Sequence, residues 1–361
     1  MIHSPSKNRI APSVQEFFIF LFLCSGSVVA FAGQSAGDSL IYPNEKHFAS
    51  VKQLTFGEIN AEAYFSFDEK KIIFMSTRDS LKCDQIFTMD VDGQNVKMVS
   101  TGKGMTTCAY FYPDGKHILY SSTHLAGLEC PARPDKSKGY VWGVYKSYDI
   151  FMANSDGSDL KRLTDTDGYD AEAVISPVAD KIVFCSARDG DLELYTMNLD
   201  GSDQKRLTFD VGYDGGPWYS WDGKKIVYRA HHPTDSTEIR EYKALLANGL
   251  VKPEKVDIFV MDSDGKNIQQ LTDNNKANFG PFFFPDDKRI IFSSNMNDPK
   301  GRNFNLFMIN VDGTGLEQIT FTAGYNFFPM FTRDGKKLIF ISSRNAKSRY
   351  EFNVFIADWV D

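Results

Sequence analysis

Residues 304–343 read FNLFMINVDGTGLEQITFTAGYNFFPMFTRDGKKLIFISS. Four short apolar runs, 304–310, 315–320, 327–332 and 337–343, are separated by three breaks. Two breaks carry Asp-Gly, at Asp312-Gly313 and Asp334-Gly335, which suits the φ > 0 positions of a tight hairpin turn. The third, Thr322 to Asn326, is longer and turns on Gly324. The runs are rich in Phe, Ile and Leu and too short for helices, so they read as strands. Four such strands predict one small antiparallel sheet. A sheet of that size cannot bury both faces alone and needs neighbours of its own kind.

The chain supplies them at the 40–50-residue period of solenoids and propellers. The third strand and its turn recur as QIFTMDVDG (85–93), DIFMANSDG (149–157), ELYTMNLDG (193–201), DIFVMDSDG (257–265) and NLFMINVDG (305–313), with a sixth copy, NVFIADW, at 353–359. The first two strands recur as AYFSFDEKKIIF (63–74), AYFYPDGKHILY (109–120), AVISPVADKIVF (173–184), PWYSWDGKKIVY (217–228), PFFFPDDKRIIF (281–292) and PMFTRDGKKLIF (329–340). The turns at 68–69, 178–179 and 286–287 lack the Gly. Outer strands end in Leu163-Thr164, Leu207-Thr208, Leu271-Thr272, Ile319-Thr320 and the variant Val99-Ser100. No such strand follows the sixth unit, and the missing piece stands at the other end, in Val51 to Thr55. The expected fold is therefore all-β: a six-bladed β-propeller of four-stranded antiparallel blades, closed by the N-terminal strand completing the last blade, which leaves no open sheet edge.

Residues 1–32 read as a secretory signal peptide: Lys7 and Arg9 precede an apolar run from Phe17 to Ala32, with small residues before Gly33. One rival is a lipoprotein anchor on Cys24, against which the bulky Leu23 counts, and another is a retained membrane anchor, for which the run is short. Residues 33–50 have no periodicity and read as a flexible lead-in, the propeller spanning 51–361. The signal peptide predicts a periplasmic or secreted protein, and no later stretch is long and apolar enough for a membrane span. Without residues 1–32 the net charge moves from −7 to −8. An acidic chain without a basic block excludes nucleic acid as a partner. Cys83, Cys108, Cys130 and Cys185 are too few for a disulfide-built scaffold. One bridge among the first three fits an exported chain, and spacing does not choose the pair. Cys185 reads as a buried free thiol.

The ordered strand–Asp-Gly-Lys–strand and Asp-Gly…Leu-Thr signatures, in all six copies over about 51–361, resemble the TolB-like six-bladed β-propellers. The resemblance implies protein–protein contact in envelope complexes. TolB itself carries an α/β domain before its propeller, and none fits in residues 33–50. Similar propellers sit on prolyl-oligopeptidase-like peptidases, but the Gly-x-Ser-x-Gly run here, Gly33 to Gly37, falls in the lead-in and not in the strand-to-helix turn that a nucleophile elbow needs.

Loops on a rigid scaffold are where function is usually placed. The connections from second to third strand vary in length, and two are long insertions, 125–148 in blade 2 and 233–256 in blade 4. The residue where each connection begins reads Arg78, His124, Arg188, His232, Met296 and Arg344, so the two inserted blades are the two with His. His231 precedes His232. These histidines either pack the loop stems or, with the inner-strand carboxylate Glu172, equivalent to Glu62 of blade 1, hold a divalent metal ion. No other cofactor is called for. Residues 235–249 predict a short helix with Asp235 as N-cap and Asn248-Gly249 as stop. The 125–148 insertion carries Tyr140, Trp142, Tyr145 and Tyr148, which could stack on a sugar or clasp a peptide. Gly-Tyr-Asp/Asn repeats at 168–170, 212–214 and 324–326 suggest packing tyrosines, with Asp170 and Asp214 facing a ligand alongside Arg188 and Arg229. The expectation is a monomeric, non-enzymatic propeller that binds a protein, peptide or glycan on its loop face. The alternative is a metal-assisted saccharide lyase or hydrolase using His124, His231, His232 and a carboxylate. Pectin-fragment lyases of that kind have seven blades, and this chain counts six.

Overall fold

The computed structural model describes residues 40–361 apart from 136, 138 and 179. The segment expected to be a signal peptide, and residues 33–39, lie outside the described residues. The described residues form six four-stranded antiparallel sheets. Their inner strands are Asn60–Phe65, Thr106–Phe111, Asp170–Ile175, Tyr213–Tyr219, Asn278–Phe283 and Asn326–Phe331. Each inner strand packs on those of the two neighbouring blades, from blade 1 round to blade 6 and back, so the ring is closed. Between blades lies a Phe-rich core in which Phe65, Phe74, Phe184, Phe292, Phe331 and Phe340 are fully buried. Each such ring contributes about 1.5–3 kcal/mol relative to exposure.

The repeated signatures have physical causes. In every blade the Thr or Ser of the Leu-Thr pair accepts the N–H of the second residue of the third strand: Ile86 to Ser100, Ile150 to Thr164, Leu194 to Thr208, Ile258 to Thr272, Leu306 to Thr320 and Val354 to Thr55, at 2.8–3.0 Å. A short outer strand is thereby pinned where its ladder ends. The Asp-Gly glycines sit at positive φ, and a Cβ at Gly157 would lie 2.5 Å from the Val99 carbonyl of the preceding blade. Glycine is thus required both by conformation and by the approach of the preceding blade. At two of the first hairpins that lack Gly, an acid takes a left-handed position instead. Asp287 (φ 56°) accepts from the N–H groups of Trp221 and Asp222 in the neighbouring blade at 2.7 and 3.0 Å. Glu69 (φ 57°) does the same for Arg333 at 2.5 Å. These two degenerate turns are staples between blades.

Phe48–Gln53 forms the outer strand of blade 6, pairing antiparallel with Asn353–Trp359 in the register Val51 to Ala357. It starts three residues before the expected Val51. The flexible lead-in over 33–50 is corrected for its described part, residues 40–50. Glu45 forms an ion pair with Arg344 at 3.0 Å, both side chains fully buried. Arg344 also donates to the Leu40 carbonyl at 2.7 Å, and His47 stacks on Trp359 at 4.8 Å. Periodicity does not show this docking, because a single pass of chain over the rim has no repeat to betray it.

Candidate functional site

The tight hairpins lie at one end of the blades and the variable connections at the other. On that second face every blade enters its inner strand and leaves its second strand side by side. The connection-start column lies there, and in four blades it turns back on the residue 18 positions earlier, at the start of the inner strand. Arg78 donates to Asn60 at 3.3 Å, Arg188 to Asp170 at 2.9 Å and Arg344 to Asn326 at 3.2 Å, and His232 Nε2 pairs with Asp214 at 3.0 Å. Blade 2 has Thr106 in that place, so His124 bonds the Ser122 hydroxyl at 2.9 Å and lies 4.5 Å from the Phe151 ring. The arginines cover the same rings that the histidines do: Arg188 lies over Phe184 and Tyr195, His232 over Phe259. The column is an internal clamp with a cation or imidazole laid on aromatic rings.

The histidines therefore do not converge. His231 pairs with Glu238 of the inserted helix at 3.2 Å, and Glu172 is held by Arg229 at 2.7 Å. Among the described residues no three His, Cys, Asp or Glu side chains are grouped to hold a metal ion. The donor set His124, His231, His232 and Glu172 does not fit a metal centre. Asp170 and Asp214 are fully buried, so with Arg188 they serve the clamp and do not face a ligand. Burial is the largest single influence on His232 and lowers its pKa, but the hydrogen bond and charge of Asp214, with the charges of Asp210 and Glu193, together exceed it and the net shift is upward. His124, half-buried and near Lys103, is shifted down.

What does converge is a chamber at the mouth of the central channel. Each inner strand has a register shift, and there one residue takes a left-handed conformation: Glu62, Cys108, Glu172, Gly216, Gly280 and Phe328. These six positions ring the axis. Adjacent members interlock: Glu62 accepts the Cys108 N–H at 2.7 Å, and Glu172 the Gly216 N–H at 2.5 Å. The floor is aromatic. Tyr64 of blade 1 reaches across the axis to Trp218 of blade 4 at 4.8 Å, and Tyr110 and Phe282 pack on the same indole at 5.0 and 4.9 Å. Contact between opposite blades fills the channel at this level. Above it, Arg229 spans Tyr213 (2.9 Å) and Glu172, and its Nη1 occupies the space that a Cβ on Gly216 would need. The Tyr169 hydroxyl donates to the second Glu172 oxygen at 3.0 Å. Burial pushes the Glu62 carboxyl and the Cys108 thiol upward, the thiol strongly.

The insertions make the roof. Trp142–Gly143 of the first pairs antiparallel with Leu250–Val251 of the second. Trp142 stands 5.4 Å from the Arg229 guanidinium and 5.2 Å from Phe279 of blade 5, and donates to Tyr140 at 3.0 Å. The first insertion is anchored by a Cys83–Cys130 disulfide, Cα atoms 5.7 Å apart. The second holds the predicted helix, Ser236–Ala247, with Asp235 capping the N–H groups of Thr237 and Glu238. Tyr242 anchors that helix to the rim, its hydroxyl bonding Asp191 and the Gly212 carbonyl, each at 2.5 Å.

Cys108, one of the three disulfide candidates, is free and belongs to the chamber, while Cys185 is free and buried. The sequence carries the signal for the first, since Cys108 shares the column of Glu62 and Glu172. Asp84, buried behind the same wall, has nothing in its sequence neighbourhood to mark it. A second, polar cleft of about 370 Å³ lies over blade 5, lined by Asn297, Asp298, Asn303, Asn305, Gln318 and Thr322. Its side chains are engaged by nearby backbone and side-chain groups: Asp298 accepts the N–H groups of Arg302 and Asn303, each at 2.8 Å, and Asn297 donates to Gln318 at 2.7 Å.

A closed six-bladed ring with repeated Asp-Gly and Leu-Thr signatures and a roofed mouth defines a β-propeller of the TolB type. Residues 130–244 and 242–359 match the TolB beta propeller domain family, and the chain belongs to that family. Comparison with curated protein sequences finds no match. Among solved structures, the chain is similar to TolB from Acinetobacter baumannii, with 20% identity and a TM-score of 0.52 over 71% of this chain and 53% of that one. It thus spans about half the length of that protein. It is also similar to a protein assigned to TolB from Agrobacterium tumefaciens, with 16% identity and a TM-score of 0.56 over 86% and 97% of the two chains. An oligogalacturonate lyase in complex with manganese matches with 16% identity and a TM-score of 0.50 over 87% and 95%. At these identities the likeness concerns the fold. Among the described residues no helix is long and apolar enough to cross a membrane.

Proposed function

We propose that this protein is an exported, monomeric, non-enzymatic propeller that binds a protein, peptide or glycan on its insertion-bearing face, as a scaffold of the cell envelope. The observation that carries this is the pairing of the two insertions into a roof, which sets Trp142 and Tyr140 over the Glu172–Arg229 pair. Aromatic faces above fixed charges are what a binding site needs to order a partner without reacting with it. The lyase alternative has no metal donor set among the described residues to rest on.

The test is a panel of envelope peptides and glycans offered to the mature chain and to Trp142→Ala. A ligand that binds the native chain and loses about tenfold or more in the variant supports this reading. Equal binding by both would move the site off this face. Metal analysis after native purification addresses the alternative: a stoichiometric ion would return the lyase reading.

A further inference from the structure

The chamber carries a charge imbalance that its own residues leave uncorrected. Glu172 is matched by Arg229. Glu62 is not. Its Oε2 accepts the Cys108 N–H at 2.7 Å and the Thr107 hydroxyl at 3.2 Å, and its Oε1 faces only the Cys108 thiol at 3.7 Å. Among the described residues no Lys, Arg or His lies within ion-pair distance of it, and Arg229 acts on it only from its place beside Glu172. Behind the same wall stands Asp84, 1% exposed, with no hydrogen-bond donor to either carboxylate oxygen. Its charge acts on Glu62 and on Tyr148, so the three are neighbours, and the Arg133 charge offsets only the smallest part of it. Glu62, Cys108, Glu172 and Phe328 are each only partly buried, so the chamber wall is not packed shut at these residues.

We propose, resting on the reading of this face as the binding face, that the chamber takes its ligand through a primary ammonium group seated on Glu62. An anionic group would meet an unmatched carboxylate. A hydroxyl would bond to it without cancelling its charge. A guanidinium wants both carboxylate oxygens, and one of them is already engaged by two donors. An ammonium is a compact point charge with three donors, and needs only the free oxygen. Tyr64 and Tyr110, packed on Trp218, floor the chamber and Trp142 roofs it beside Arg229, and aromatic surroundings favour a cation. The ammonium can come from a lysine or amino terminus of a polypeptide, or from a small amine or amino sugar.

The experiment titrates the mature chain with a lysine tripeptide, cadaverine and glucosamine, each beside its N-acetylated form, and reads tryptophan fluorescence and calorimetric heat. Amines should bind, with their acetylated forms weaker by about tenfold or more. Glu62→Gln should remove that preference while leaving the melting temperature close to that of the native chain. The acetylation comparison needs no variant, so it holds even if Glu62→Gln folds poorly. Binding by the lysine peptide alone supports a polypeptide source, and binding by glucosamine or cadaverine a small amine. Equal binding of free and acetylated forms, or no amine binding at about 10 mM, overturns the proposal. If neutral ligands still bind and Trp142→Ala abolishes that binding, the binding face stands and only the ammonium fails.

Discussion

Single residues divide here into those that clamp the fold and those that line the chamber. Glu45 is of the first kind. Removing one partner of a buried ion pair leaves the other uncompensated, so Glu45→Ala should destabilise the protein by about 3–5 kcal/mol in urea unfolding. A loss below about 1 kcal/mol would show that residues 40–50 are not docked in solution. Asp84 makes a pH-dependent prediction. Burial first, then the Glu62 charge, pushes its carboxyl up to about 7. An acid with a raised folded pKa holds more protons folded than unfolded, so its effect is most favourable below the unfolded pKa and is lost as pH rises to about 7. Stability should therefore fall between about pH 4 and pH 7, and Asp84→Asn should flatten that slope. Parallel slopes in the two proteins would place the titration elsewhere. The His column is visible in the sequence as a column, but its role is not. That role depends on the residue 18 positions earlier, a spacing present in the sequence and meaningful only once the two strand ends are known to lie together.

The elements that decide function are the two insertions. Each looks like an independent excursion when read along the chain. In space they form one two-stranded sheet across the mouth, tied to blade 1 by Cys83–Cys130. The bridge closes a 47-residue separation, so Cys83→Ser with Cys130→Ser should cost about 2–4 kcal/mol, measured by chemical denaturation of the oxidised and mutant chains. Replacing 126–147 by a short Gly-Asn linker, with Cys83→Ser to avoid a stray thiol, should keep a cooperative unfolding transition and free the Leu250–Val251 strand. Hydrogen exchange at those two amides should then rise sharply while the blades stay protected. Global unfolding of that variant would make the insertion part of the core.

At the scale of the whole molecule the ring is held by its closure. Blade 6 takes its outer strand, Phe48–Gln53, from the other end of the chain. Deleting residues 40–56 removes it, leaves Arg344 without Glu45, and exposes the backbone edge of Asn353–Trp359. Loss of the cooperative transition and aggregation visible by light scattering are the expected results. An unchanged melting temperature would mean the ring does not depend on that strand.

The amino-acid sequence by itself determined the blade, the number of blades and the strand that closes them. Those features repeat, and repetition multiplies weak local signals: Asp-Gly where φ must be positive, Leu-Thr where a hydroxyl must accept a strand N–H, alternating apolar residues where a sheet must bury a face. It also marked the helix of the second insertion through its cap. Only the tertiary structure decided the site. Glu62, Cys108, Glu172, Arg229 and Trp142 come from four blades and an insertion, and their meeting depends on ring curvature and on where two loops cross. No local spacing encodes those distances. The same geometry took the histidines away from one another, because each is bonded within its own blade before it can reach a neighbour's.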